Sequence, residues 1–190
     1  MDKLLDFTNK TALITGAASG FGKSLAEELA KRGANLVLAD FNEAGLSQTS
    51  EEITALGAKV VALTGDIAEE THAEQLVAAA IESFGRLDIA VNNAGIAPAL
   101  GPLTQIDADT LGRQLDVNTK GVAFGLKYQL RAMCAQKDGA ILNVSSMAGL
   151  GGTPMGSSYG AAKHAVIGLT KTAAVECGGM NVRVNAICPL

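Results

Sequence analysis

Short runs of apolar residues alternate along the chain with longer segments in which apolar residues recur at helical spacing. The first run, Thr11 to Thr15, predicts a strand and leads into a glycine-rich turn. The next segment repeats apolar residues at Leu25, Ala26 and Leu29, which predicts a helix with Gly33 as its C-cap. The same alternation predicts further strands at 35–39, 59–63, 87–91, 140–144 and 182–187, and further helices at 42–56, 69–84, about 110–135 and about 158–177.

Strands that alternate with helices at this rhythm predict an α/β fold with a parallel, doubly wound β-sheet and helices on both faces. A chain of 190 residues suits one domain with a sizeable core, and no repeat, low-complexity segment or linker divides it. We therefore predict a single domain over residues 1–190 with about six strands.

Composition narrows the classes of protein. Apolar residues make up 48% and charged residues 18% of the chain, which is typical of a globular protein. The net charge of −4 and the lack of a basic run argue against nucleic acid as a partner. No apolar run is long enough for a membrane span or a signal peptide, so we expect a cytoplasmic protein. Its three cysteines form no C-x-x-C motif, and no metal site is predicted.

The glycine-rich turn after the first strand has the spacing G-x-x-x-G-x-G, with glycines at Gly16, Gly20 and Gly22. Such a turn lets backbone N–H groups at a helix N-terminus approach a pyrophosphate. Asp40 follows the second strand, where a carboxylate binds the ribose of a dinucleotide and repels a 2′-phosphate. No Arg or Lys stands at 17–19 or 41, so NAD is predicted over NADP. The alternatives are an incidental loop and a helix-capping Asp.

A second cluster lies between Ser145 and Lys171. Tyr159 and Lys163 are one helical turn apart and share a face. A neighbouring ammonium favours the phenolate form, which makes a tyrosine a usable proton donor and acceptor. A serine from the preceding loop could then bond to a substrate oxygen. Taken alone, the pair also fits a half-buried Tyr beside an exposed Lys.

Asn92 to Gly95 (NNAG) follow the fourth predicted strand, and strand ends of this kind point into the ligand crevice of an α/β sheet. His72 falls among glutamates near a predicted helix start, so we interpret it as a solvated surface histidine.

Taken together, these motifs resemble the short-chain dehydrogenase/reductase family, with a Rossmann-type fold. The ordered set is T-G-x-x-x-G-x-G, N-N-A-G, Asn118, a serine, Y-x-x-x-K and V-N-A-x-x-P, and it covers almost the whole chain. The resemblance implies that the catalytic residues are Asn118, Ser146, Tyr159 and Lys163. It implies that the cofactor-binding residues are Gly16, Ser19, Gly20, Phe21, Gly22, Asp40, Asp66, Ile67, Asn93, Ala94 and Gly95, together with Tyr159 and Lys163.

The resemblance implies hydride transfer between a secondary alcohol or ketone and the nicotinamide of NAD. Tyr159 would exchange the proton, Ser146 would bond to the same oxygen, and Lys163 would bind the nicotinamide ribose. Asn118 would hold a water that relays protons towards Lys163. The resemblance also implies a homo-oligomer, a dimer or tetramer, formed by the helices at about 110–135 and 158–177.

The chain departs from the family pattern at Cys188-Pro189-Leu190, where the family continues with Pro-Gly and a substrate-binding segment. We therefore expect a C-terminally shortened member that lacks the substrate loop and the last strand. The alternative is a dinucleotide-binding fragment without useful catalysis. The substrate stays open, with determinants expected partly at 97–103 and 151–156.

Overall fold

The computed structural model describes residues 5–97 and 100–190. Within these residues there are six strands, as the apolar pattern predicts, and six α-helices, one more than the five that it predicts. The strands are β1 (Thr11–Thr15), β2 (Asn35–Asp40), β3 (Val60–Thr64), β4 (Ile89–Asn92), β5 (Gly139–Val144) and β6 (Val182–Ile187). The helices are α1 (Gly20–Lys31), α2 (Glu43–Ala55), α3 (Glu70–Phe84), α4 (Ala108–Leu115), α5 (Gly121–Gln136) and α6 (Ser157–Cys177).

All strand pairings in the sheet are parallel, and the strand order is β3-β2-β1-β4-β5-β6. The chain winds outwards from β1 in one direction and then returns to continue from β4 in the other. The predicted doubly wound, Rossmann-type sheet is therefore confirmed. Between β1 and β4 the strand order reverses, and a crevice opens there at the carboxyl ends of the strands.

Two apolar clusters cover the two faces of the sheet. The side chains of β1 alternate between them, with Leu13 in one cluster and Ala12 and Ile14 in the other. Helices α3, α5 and α6 contribute to the first cluster, and α1 and α2 contribute to the second. Burial of both faces explains why the central strands β1 and β2 read as nearly continuous apolar runs.

The amino-terminal edge of the sheet is closed by a charged network around Asp88, which is buried just before β4. Its carboxylate accepts hydrogen bonds from the backbone N–H of Thr11 at 2.9 Å and from the Lys10 ammonium at 2.9 Å. The Arg86 guanidinium contacts both carboxylate oxygens. This network connects β1 to β4 at the edge opposite the crevice.

Two details differ from the prediction. The helix expected over about 110–135 is divided into α4 and α5 by a π-helical turn at Asp116–Lys120. A π turn holds one residue more than an α turn and commonly marks a functional site. The interpretation of His72 as a solvated residue was wrong, because its side chain is only 6% exposed. It lies beneath Gly65, where an added methyl carbon would lie 2.5 Å from the imidazole ring.

Candidate active site

The glycine-rich turn joins β1 to α1 and depends on glycine geometry. Gly16 and Gly20 have positive φ angles of 69° and 54°, which side-chain-bearing residues rarely adopt. A methyl group on Gly22 would overlap the Gly16 carbonyl oxygen, so Gly22 packs behind the turn. Ser19 is the N-cap of α1, and its side chain forms no capping bond. The first backbone N–H groups of α1 therefore remain available to an anion.

Asp40 ends β2 beside this turn and is held by two backbone donors. One carboxylate oxygen accepts a hydrogen bond from the Ala18 N–H at 2.9 Å, and the other accepts one from the Asn42 N–H at 2.9 Å. Each oxygen keeps a second lone pair for a further donor. The carboxylate is thus oriented towards the crevice with capacity to accept hydroxyl groups.

The segment Asn92 to Gly95 is fastened to the glycine-rich turn by Thr15. The hydroxyl oxygen of Thr15 accepts hydrogen bonds from the N–H groups of Asn93 and Ala94, both at 3.1 Å. The Asn93 amide donates back to the carbonyl oxygens of Thr15 and Gly16. These bonds couple the carboxyl ends of β1 and β4, so both sides of the crevice form one rigid unit.

A cleft of about 480 Å³ opens between these elements. Ten of the thirteen predicted cofactor-binding residues line it, whereas Gly22, Tyr159 and Lys163 do not. The ten are Gly16, Ser19, Gly20, Phe21, Asp40, Asp66, Ile67, Asn93, Ala94 and Gly95. The sequence reasoning missed five further lining residues, which are Phe41, Gly65, Ile96, Arg113 and Val117.

Asn118 lies in the π-helical turn and is fully buried. Its side-chain oxygen accepts a hydrogen bond from the Ile96 N–H at 3.0 Å, and its amide donates to the Ile96 carbonyl at 3.1 Å. The amide also donates to Gln114 at 2.6 Å. Asn118 therefore fixes the backbone just after Gly95, and the predicted water relay stays a prediction.

Lys163 projects from α6 and is only 5% exposed. Its ammonium donates a hydrogen bond to the Val144 carbonyl at 2.9 Å and lies 5.6 Å from the ring centroid of Tyr159. Burial lowers the pKa of Lys163 from 10.5 to about 8, because the charged form loses solvation. At pH 7 the group is still mainly protonated and places a positive charge beside the half-buried tyrosine.

The two serines after β5 occupy different environments. The buried Ser145 donates its hydroxyl to the Lys163 carbonyl at 2.9 Å, so it serves the backbone of α6. The Ser146 hydroxyl accepts a hydrogen bond from the Ala148 N–H at 3.1 Å and lies 3.5 Å from the Pro189 carbonyl. Of the two, Ser146 has the weaker protein contacts and the greater capacity for a ligand.

A second cavity of about 250 Å³ brings the four predicted catalytic residues together. Asn118, Ser146, Tyr159 and Lys163 all line it. Asn93, Gly95 and Ile96 line both this cavity and the larger cleft. The two spaces are therefore neighbours that share a wall, and one elongated ligand can reach both. Pro98 and Ala99, within the expected substrate segment, lie outside the described residues.

Comparison with known proteins agrees with this geometry. A sequence model of the family described as short chain dehydrogenase matches residues 10–190. The chain belongs to the short-chain dehydrogenase family. Among its relatives within that family is a cyclohexanol dehydrogenase of an Acinetobacter strain, 40% identical over the whole chain and 76% of the relative. A diacetyl reductase of Staphylococcus epidermidis that forms (S)-acetoin is 41% identical over 95% of this chain and 70% of its own length.

A solved short-chain dehydrogenase structure gives the same picture in three dimensions. The NAD⁺-bound xylitol dehydrogenase superposes with a TM-score of 0.93 at 35% identity, over 96% of this chain and 70% of its own. Within the described residues of this family member, no helix combines the length and apolarity that crossing a bilayer requires.

The residues present suit a nicotinamide dinucleotide. A methyl carbon added to Gly20 would meet no atom within 4 Å, so this glycine borders open space in the turn where a diphosphate would lie. Unoccupied N–H donors at the start of α1 fit an anion, and the Asp40 carboxylate fits ribose hydroxyls. The cleft therefore offers N–H donors for a diphosphate and, at Asp40, a carboxylate acceptor for ribose hydroxyls.

Proposed function

We propose that this short-chain dehydrogenase is an NAD-dependent oxidoreductase that interconverts a secondary alcohol and a ketone. The observation that carries this proposal is the shared wall of Asn93, Gly95 and Ile96 between the two cavities. One cavity has the donors for a dinucleotide, and the other holds Ser146, Tyr159 and Lys163. The activities of the cyclohexanol dehydrogenase and the diacetyl reductase support the same reaction class.

The cofactor proposed is NAD rather than NADP. Asp40 places a carboxylate at the ribose end of the cleft, where a 2′-phosphate would be repelled. Its neighbour Phe41 is 79% exposed and offers no positive charge. Asp66 and Ile67 line the same end and would hold the adenine ring. The similar xylitol dehydrogenase, whose structure contains NAD⁺, supports this choice. When bound, the nicotinamide ring accepts or supplies the hydride.

The protein's own chemistry concerns the proton. The Tyr159 hydroxyl would take the alcohol proton during oxidation and return it to the carbonyl oxygen during reduction. The Lys163 ammonium lies 5.6 Å from the Tyr159 ring centroid, so a positive charge stands beside the ring whose hydroxyl would exchange the proton. Lys163 would also donate to the hydroxyls of the nicotinamide ribose. Its bond to the Val144 carbonyl leaves two further N–H donors for such contacts.

Ser146 and Asn118 would have different tasks. The Ser146 hydroxyl would donate a hydrogen bond to the substrate oxygen and stabilise the charge that develops there. Asn118 holds both the N–H and the carbonyl of Ile96, so it keeps the wall between the two cavities in place. In the proposed mechanism it also positions the water that connects Lys163 to solvent.

The decisive experiment compares Tyr159→Phe with Tyr128→Phe. Tyr128 on α5 is the matched control, because its hydroxyl contacts Glu70 at the start of α3 and it lines neither cavity. With NAD⁺ and a panel of secondary alcohols, Tyr159→Phe should lower kcat by about 10³-fold, within the range for loss of a general acid–base. Its affinity for NADH should stay within about twofold, since the phenol does not hold the diphosphate. Tyr128→Phe should leave both quantities unchanged.

Equal turnover by the wild-type protein and Tyr159→Phe would refute the proposed mechanism. NADH binding without turnover of any alcohol or ketone would favour a dinucleotide-binding protein without catalysis.

A homo-oligomer through α5 and α6 also stays a proposal, as does a cytoplasmic location. The oligomer is proposed because these two helices resemble those that form the dimer surface of the family. Sedimentation velocity at micromolar concentration tests this, and a single monomeric species would contradict it.

A further inference from the structure

Arg113 belongs to the last turn of α4 and lines the dinucleotide cleft. Its side chain is exposed, and no ion pair or side-chain hydrogen bond found among residues 5–97 and 100–190 uses its guanidinium. Arg86, in contrast, contacts both oxygens of Asp88, and Arg32 pairs with Glu28. Arg113 therefore differs from arginines of this chain that serve the fold.

The residues that line the cleft supply little positive charge for an anionic ligand. The lining residues include two carboxylates, Asp40 and Asp66, and one cation, Arg113. A dinucleotide adds two negative charges on its diphosphate. Backbone N–H groups at the start of α1 supply only partial positive charge. Among the residues that line the cleft, the Arg113 guanidinium is thus the group with a full unit of positive charge for an anionic ligand.

The helix turn that carries Arg113 is held firmly against the cleft wall. The neighbouring Gln114 donates its amide to the Ala97 carbonyl at 2.8 Å and accepts a hydrogen bond from Asn118 at 2.6 Å. Val117, one turn further on, lines the same cleft. Residues four apart share a helix face, so Arg113 and Val117 present one face of this segment to the dinucleotide.

We propose that the Arg113 guanidinium binds the diphosphate of the dinucleotide, as a cationic contact supplied by α4 in addition to the glycine-rich turn. A guanidinium presents a planar set of donors that matches two phosphate oxygens at once. The 2′ position of the ribose is a poorer target, because Asp40 occupies that end of the cleft. This inference rests on the proposed dinucleotide function and names a residue that contributes to the affinity for the dinucleotide.

The test measures the binding of ADP-ribose, NADH, NADPH and adenosine by isothermal titration calorimetry. Arg113→Gln should weaken ADP-ribose and NADH about tenfold, as expected for the loss of a charge-assisted hydrogen bond in a solvated cleft. Adenosine, which has no phosphate, should change less than twofold. Arg113→Lys should fall between the wild type and Arg113→Gln. The loss should shrink at high salt, because ions screen an exposed contact.

Arg183→Gln is the matched control, since Arg183 is an exposed arginine on β6 that lines neither cavity. It should bind all four ligands like the wild type. Thermal unfolding of each variant checks that the fold is kept.

Four results would overturn the inference. Equal losses for adenosine and ADP-ribose would mean that Arg113 acts on the base or on the fold. A loss confined to NADPH would place the guanidinium at the 2′-phosphate. Unchanged binding in Arg113→Gln would mean that it makes no contact, while the dinucleotide proposal would survive. A wild-type protein that binds none of these ligands would refute the dinucleotide proposal itself and this inference with it.

Discussion

The two edges of the sheet use charged residues in opposite ways. At the amino-terminal edge, Asp88 is buried and accepts hydrogen bonds from Lys10, Arg86 and the Thr11 N–H. Burial by itself raises the pKa of the Asp88 carboxyl, but these donors lower it overall. The lowered pKa shows that the folded protein stabilises the ionised form. The Asp88 carboxylate is thus paired with donors from the protein itself.

At the carboxyl-terminal edge the polar groups can still form further hydrogen bonds. Asp40 receives two backbone N–H bonds and keeps free lone pairs, and Ser146 makes only weak contacts. Lys163 is buried with a single hydrogen bond to a neutral carbonyl, and its pKa falls to about 8. The comparison shows that the charged groups at one edge are paired within the protein and stabilise the fold. The polar groups at the other edge have few protein partners and can bind a ligand.

The largest effect that sharpens this comparison concerns Lys163. Its folded pKa of about 8 lies below the 10.5 of an unfolded chain, so the unfolded state binds more protons between these values. Stability should therefore rise with pH across this window. Relative to Lys163→Met, the wild-type free energy of unfolding should increase by about 3 kcal/mol between pH 8 and 10.5. Urea unfolding at a series of pH values measures the difference.

Lys171→Met on the exposed face of α6 is the control for that series. A constant difference between the wild type and Lys163→Met across the window would show that the buried ammonium costs the fold nothing.

The next largest effect concerns Asp88, at the amino-terminal edge of the sheet. Asp88→Ala removes a buried carboxylate and the hydrogen bonds that it accepts from three residues. It should lower the free energy of unfolding by about 2–3 kcal/mol. Its partners Lys10 and Arg86 are each 39% exposed and can return to water, which limits the loss. Affinity for NADH should not change, because the network lies at the far edge of the sheet. Denaturant unfolding and NADH fluorescence titration measure the two quantities.

Asp138→Ala serves as the control, because Asp138 joins the same network from a half-exposed position. It should cost well under about 1 kcal/mol, as surface ion pairs do. Asp40→Ala should show the reverse of Asp88→Ala, with weaker NADH binding as its main effect. If Asp88→Ala weakened NADH binding and left stability unchanged, the division between the two edges would be wrong.

The smallest expected effect concerns His72, beneath the Gly65–Asp66 turn. Burial lowers the pKa of its imidazole below 6.5, against the opposing influence of Gln75 and Asp66. The unfolded chain therefore takes up a proton first as the pH falls, so stability should decline below about pH 6.5. His72→Gln should remove that part of the decline. Unfolding measured at pH 7.5 and pH 5.5 tests this, and equal losses in both proteins would contradict it.

Much of the fold follows from local patterns. The apolar runs predicted the six strands of the described residues, and the central strands β1, β2 and β4 are nearly continuous apolar runs because they are buried on both faces. The spacing of Tyr159 and Lys163 put both on one helix face, and both line one cavity. The glycine-rich turn was readable because positive φ angles and close backbone packing favour glycine.

Three features escaped that reading. Arg113 lies in a segment with no motif, and its place in the cleft depends on how α4 packs against residues 96–97. His72 has charged neighbours in sequence but is buried in the folded protein. The π-helical turn at Asp116–Lys120 interrupts a pattern that reads as one continuous helix. Each depends on contacts between residues far apart in the chain.

The amino-acid sequence by itself determined the order of the strands and the glycine-rich turn, and it predicted candidate catalytic residues, because these depend on short-range periodicity and side-chain type. The tertiary structure alone decided which side chains share a cavity and which are used up by the fold. Both Ser145 and Ser146 border the cavity, but the Ser145 hydroxyl donates to the α6 backbone, whereas the Ser146 hydroxyl keeps the greater capacity for a ligand. Adjacent residues of the same type can therefore have different hydrogen-bond partners, which only packing determines.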